Sequence, residues 1–201
     1  LSMIAEMYMG NSEADKAFMF YQKVLDVNPN DPYIRITLAD FYQQKDDIDK
    51  AFENLQQGYL NPELDLDTKI QVLMGLFELK KIPVERINTE SRKLASTLVK
   101  IHPEKPASHA IYADLLYRDS LYTEAAEEYT KVIKIDSSRY VVWEQLLFSL
   151  NNNTQTKEIT NVSKRAINLF PKQPIPYLFN AIGHFMVDST KAAIDILEKG
   201  L

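Results

Sequence analysis

The chain has 201 residues, 45% of them hydrophobic and 25% charged, which is the composition of a protein with a packed core rather than of a disordered segment. Lys and Arg number 23 against 28 Asp and Glu, and the net charge of −5 argues against a surface built to track phosphate backbones, so no nucleic-acid partner is expected. There is no cysteine, which excludes a disulfide scaffold, a thiolate nucleophile and a Cys-ligated metal, and the five glycines form no phosphate-cradling motif.

Taken in chain order, the apolar residues repeat at helical spacing. Leu1, Ile4, Ala5 and Tyr8 already read as a helix in progress with no capping residue before it, so the sequence reads as a fragment of a longer protein. A second helix carries Ala17 and Tyr21 and ends before Pro29. From Tyr33 to Gln44 the apolar positions are Ile34, Leu38, Ala39, Phe41 and Tyr42. Asp46-Asp47 interrupts that spacing as a cap, and Ala51, Phe52, Leu55 and Tyr59 resume it. A third pair spans Asp65 to Lys100 and is six residues longer than its neighbours, predicting longer helices or a looser turn around Lys80-Lys81-Ile82-Pro83-Val84. Tyr112-Ala113 and Ala125 mark a fourth pair, Trp143 and Ala166 a fifth, Ala181 and Ala193 a sixth. No run reaches the roughly 18 apolar residues of a membrane span.

Small residues recur at Ala5, Ala39, Gly75, Ala113 and Ala181, and again at Ala17, Ala51, Ser91, Ala125 and Ala193, with prolines at 29, 62, 103 and 171 in the same frame. A small side chain where two antiparallel helices cross lets their backbones approach and interdigitate, and a proline after the second helix stops it. The fifth pair has Leu147 and Ile159 in the small slots, which predicts looser packing there. Twelve helices follow, with turns near residues 11, 30, 45, 61, 82, 104, 119, 137, 153, 172 and 188.

Arg35-x-x-Leu38-Ala39-x-x-Tyr42 with Ala51, Leu55 and Pro62, and Trp143-x-x-Leu146-Leu147 with Ala166 and Pro171, resemble the tetratricopeptide-repeat (TPR) pattern of about 34 residues. The resemblance runs the length of the chain. It implies an all-α fold, a right-handed α-solenoid of antiparallel helix pairs in about six repeats, as one array with units near 1–30, 31–63, 64–104, 105–138, 139–172 and 173–201. It also implies a larger, bacterial-type repeat protein whose groove is lined by the first helix of each pair.

Projecting the family's groove positions gives Tyr33, Ile36, Asp40, Gln43 and Gln44 in the second unit, and Lys69, Val72, Leu76 and Leu79 in the third. The fourth contributes Ala110, Asp114, Tyr117 and Arg118, the fifth Glu144, Phe148, Asn151 and Asn152. The sixth offers Ile175, Leu178, Ile182, Phe185 and Met186, a nearly continuous apolar strip. The family's carboxylate clamp places Lys and Asn on successive first helices. Here those positions hold Ile36/Asp40, Ala110/Asp114, Glu144/Phe148 and Leu178/Ile182, so an acidic C-terminal tail would be repelled. The expected partner is a protein or peptide of apolar or basic character.

The three histidines, at 102, 109 and 184, lack metal-ligand or general-base spacing, and His102 before Pro103 is expected to be a solvent-facing turn residue. The clusters Asp46-Asp47-Asp49 and Asp26-Asn28-Asn30 lack the Gly and Glu of a calcium loop, which leaves capping and turn roles. No cofactor or metal site is expected. The aromatic residues fall on the repeat frame, which assigns them to helix packing. The reading is a non-catalytic scaffold that binds protein or peptide. The alternatives are a structural component of a cell-envelope assembly, on the periplasmic side, and an accessory region of a larger enzyme; a cytoplasmic location is equally compatible.

Overall fold

The computed structural model describes residues 2–10, 13–152 and 155–200, and these form twelve α-helices with no strand among them. They are α1 Ser2–Gly10, α2 Ala14–Val27, α3 Pro32–Gln44, α4 Ile48–Leu60, α5 Leu66–Gly75 and α6 Val84–Ile101. They continue with α7 Pro106–Arg118, α8 Tyr122–Ile135, α9 Tyr140–Asn152, α10 Thr156–Leu169, α11 Pro174–Phe185 and α12 Thr190–Lys199. The chain divides into two compact units, Leu1–His102 and Pro103–Leu201, each built from three helix pairs. The turns expected near residues 11 and 153 lie outside the described residues. The others fall between helices as expected.

Each helix boundary has a local cause. Pro32, Pro106 and Pro174 open α3, α7 and α11, where the missing amide donor costs nothing. Asp31 caps α3 by accepting from Ile34 N at 3.0 Å, and Asp65 caps α5 by accepting from Thr68 N at 2.8 Å. Prolines 29, 62, 103 and 171 directly follow the residues that end α2, α4, α6 and α10. Within a pair the turn closes with one repeated bond, an amide reaching the carbonyl five residues back: Glu13 to Tyr8 at 2.9 Å, Asp47 to Tyr42 at 2.9 Å, Leu121 to Leu116 at 2.9 Å, Gln155 to Leu150 at 3.1 Å and Ser189 to His184 at 3.0 Å. In three of these turns the preceding residue is left-handed: Asp46, Ser120 and Asp188, at φ 58, 61 and 56. From Ala39, Ala113 and Ala181 to these residues is the same seven-residue step, so the period seen in the small residues also governs backbone geometry.

The small-residue positions are buried between helices, with Gly75 the exposed exception. Ala5, Ala17, Ala113, Ala125 and Ala166 are fully buried, and Ala39, Ala51 and Ala193 nearly so. Tyr21, Tyr59, Tyr129 and Trp143 are the largest fully buried side chains. Burying such a side chain is worth roughly 1.5–3 kcal/mol, and Trp143 also places its indole N–H 2.9 Å from the Ser137 carbonyl.

The third and fifth pairs depart from the frame. In the third, α5 ends at Gly75, a 3-10 turn follows over Leu76–Glu78, and α6 runs for 18 residues, so both the looser turn and a longer helix are present. In the fifth, fewer backbone positions of α9 and α10 lie close together than of α3 and α4. The crossing is filled, because Leu147 and Ile159 are both completely buried. The close approach moves to the next interface, where Gly183 of α11 lies against Thr160 of α10. Asn180 there donates to Thr160 O at 3.0 Å and to Ser163 Oγ at 2.8 Å.

Candidate ligand-binding clefts

In the first unit, residues of α3, α4 and the third pair line a cleft of about 280 Å³. Ile36, Asp40 and Gln43 line it from α3, Phe52 and Leu55 from α4, and Val72, Leu76 and Leu79 from the third pair. Asp40 is one side open to solvent and otherwise set in this apolar wall, and burial pushes its pKa above the ordinary carboxylate value. Tyr33 is exposed one turn before Ile36, and Gln44 is exposed beyond the cleft.

Lys69, placed among the groove residues by the repeat frame, is instead fully buried. Its ammonium donates to Asn61 O at 2.9 Å and lies 3.2 Å from His102 Nε2, while Tyr59 Oη donates to the Lys69 carbonyl. Burial lowers its pKa, opposed by the Asp65 charge. His102 is accordingly a half-buried partner of Lys69 rather than a solvent-facing turn residue.

The second unit carries a cleft of about 390 Å³ between α7 and α9. Ala110, Asp114 and Tyr117 come from α7, Val141, Val142 and Gln145 from α9, and Tyr129 and Arg139 complete it. Tyr129 Oη donates to Asp114 Oδ1 at 2.5 Å. Burial raises the pKa of Asp114, opposed by that hydrogen bond and by the Arg139 guanidinium, and burial raises that of Tyr129 as well. Tyr117 Oη accepts from Asn152 Nδ2 at 3.2 Å, tying α7 to the end of α9.

The remaining projected residues lie apart from these two clefts. Arg118 donates to Asp119 at 3.0 Å, Glu144 is half-buried beside Tyr140, and Phe148 packs edge-on against Phe179 at 5.1 Å. On α11, Ile175 and Ile182 turn into the core, whereas Leu178, Phe185 and Met186 are exposed, so the strip is apolar but split between core and surface. Tyr129 and Arg139 were not among the projected residues. Tyr129 carries the packing signature of its frame position and reaches the cleft only through its hydroxyl, and Arg139 lies in the turn between pairs.

Another charged cluster is structural in its contacts: His109 places Nδ1 2.6 Å from Glu128 and Nε2 2.8 Å from Pro103 O, and Lys131 pairs with Glu128 at 2.6 Å. Among the described residues no three His, Asp or Glu side chains converge as a metal site, and no helix is long and apolar enough to cross a membrane.

No protein-family model matches the chain, and no curated protein does. Solved structures do. YrrB, described as a TPR protein with an unusual peptide-binding site, is similar with a TM-score of 0.56 at 13% identity, over 90% of this chain and 90% of that one. MamA is similar with a TM-score of 0.52 at 11% identity, over 98% and 92%. MamA from Desulfovibrio magneticus RS-1 gives 0.54 at 13% identity, over 84% and 92%. With identities this low the likeness is one of fold, and together with the helix pairs it gives this chain the tetratricopeptide-repeat fold.

Proposed function

We propose that the chain is a non-catalytic binding module whose first helices hold a peptide segment of a partner protein, apolar or basic rather than acidic. The observation that carries this is the paired placement of Asp40 and Asp114. At the same repeat position of α3 and α7, each sets a carboxylate into a partly apolar cleft, and Ile36 and Ala110 stand where a clamp would need lysine. Both residues are exposed, and an acid at the rim of a partly apolar cleft favours a cationic group and rejects another acid. YrrB, of the same fold, is described by a peptide-binding site, which agrees with this use of the fold.

The projected groove of Tyr33, Ile36, Asp40, Gln43, Asp114, Tyr117, Arg118, Glu144, Phe148, Leu178, Ile182 and Phe185 narrows in this proposal to the two clefts. Ile36, Asp40 and Gln43 serve in one, Asp114 and Tyr117 in the other, with Tyr129 and Arg139 added. Selection from a random peptide display library tests it. Enrichment of sequences rich in Lys or Arg and large apolar residues, weakened by Asp40→Asn or Asp114→Asn, is the expected result. Enrichment of acidic sequences, or none, would overturn the proposal.

A further inference from the structure

We propose that the cleft of the first unit is an anchor pocket: it seats one large apolar side chain of a partner's peptide while the adjacent lysine or arginine of that peptide pairs with Asp40. This rests on the peptide-binding reading and adds the chemistry of one subsite.

The pocket is a product of the irregular third pair. Helix α5 stops at Gly75 and tightens into the 3-10 turn Leu76–Glu78, and the chain returns with Ile82 buried in the pocket wall. A Cβ placed on Gly75 would meet nothing within 4 Å, so the space beside it is open. The volume, about 280 Å³, falls just below the roughly 300–1,000 Å³ of small-molecule sites and suits a side chain with its flanking backbone. Phe52, Leu55, Val72, Leu76 and Leu79 supply an apolar interior. Asp40 is the one charged residue lining it, and no hydrogen bond or ion pair among the described residues engages its carboxylate. Lys45 pairs with Asp15 at 3.0 Å and Lys81 with Asp46 at 3.9 Å, and neither lysine contributes to the shift at Asp40. An apolar interior with a single free acid at its rim is complementary to an apolar residue next to a base.

The test is titration of the protein, followed by NMR, with acetyl-Gly-Phe-Lys-Gly-amide and with the same peptide carrying Ala for Phe or Ala for Lys. Binding should perturb Val72, Gly75 and Leu76, and loss of either side chain should weaken it about tenfold. Asp40→Asn should erase the preference for Lys and keep that for Phe. Gly75→Leu fills the open space at a position with ordinary helical backbone, φ −59 and ψ −26, and should abolish binding while circular dichroism stays unchanged. Equal binding of all three peptides, perturbation elsewhere, or phenethylammonium binding as tightly as the parent peptide would overturn the proposal. If display selects basic, apolar peptides whose binding ignores Gly75→Leu, the pocket assignment fails and the peptide-binding reading stands. If display selects nothing, that reading itself fails.

Discussion

Gly183 of α11 lies so close to Thr160 of α10 that a Cβ at position 183 would collide with the threonine hydroxyl. The contact joins the fifth pair to the sixth, and the buried Asn180–Ser163 hydrogen bond of 2.8 Å joins the same two helices. Gly183→Ala should therefore cost about 1–3 kcal/mol, the usual range for overpacking a well-filled interface. Thr160→Ala in the same chain should recover most of the loss, because it removes the obstructing hydroxyl. Urea unfolding of both variants checks this. A neutral or stabilising Gly183→Ala would show that the interface gives way easily.

Leu147 and Ile159 occupy the crossing of α9 and α10 where the other pairs put small residues, and both are fully buried. If their bulk merely obstructed the crossing, trimming would let the helices close up at little cost. The core around them, which includes Trp143, Leu146, Leu150 and Phe179, is instead packed against both side chains. Leu147→Ala should thus leave a cavity and cost about 2–5 kcal/mol. A change in the urea midpoint worth less than about 1 kcal/mol would refute the account.

The helix pairs were legible in the sequence because a repeat writes its packing locally: small residues and prolines after second helices recur at fixed spacing, helped in the first unit by the caps Asp31, Asp47 and Asp65. Asp40 and Asp114 came instead from the groove positions that the tetratricopeptide resemblance implies on the first helix of each pair. That resemblance could not find Tyr129 and Arg139, which enter the second cleft from a second helix and from a turn between pairs. Nor could it place Lys69, which the frame puts in the groove. Its side chain turns inward to reach the Asn61 carbonyl and His102, contacts set by the loop between pairs rather than by helical period. The pocket of the first unit was foreshadowed only as six extra residues; where the helix would break depended on tertiary packing.

Lys69 supplies a pH signature. Burial holds its pKa below the ordinary lysine value, so on raising the pH the folded chain releases this proton before the unfolded chain does. In that window the unfolded state binds more protons, and the contribution of Lys69 to stability rises with pH up to about 10.4. Lys69→Met removes the titrating group. As pH rises toward about 10.4, the unfolding midpoint of the wild type should gain on that of the variant. Parallel pH profiles for the two proteins would contradict this assignment.

Asp40 shifts the opposite way, and the sign separates a functional residue from a stabilising one. Its pKa is raised by burial, so the folded chain holds the proton to higher pH than the unfolded chain, whose value is about 3.9. Stability is therefore lost as pH rises through the window between those two values, and the full penalty is present at neutral pH. Asp40→Asn keeps the shape and removes the charge. It should stabilise the protein slightly at neutral pH, the effect being small because the residue is exposed. The advantage should vanish below about pH 4, where the wild-type carboxyl is protonated in both states. The same substitution should erase the preference for a cationic peptide, so the variant is more stable and less able to bind, as expected where a charge is kept for recognition at some expense of stability. Urea unfolding at neutral and acid pH, alongside peptide titration of the same variant, measures both halves. A variant less stable than the wild type at neutral pH would mean that Asp40 has a favourable partner in the fold and that its charge serves packing rather than recognition.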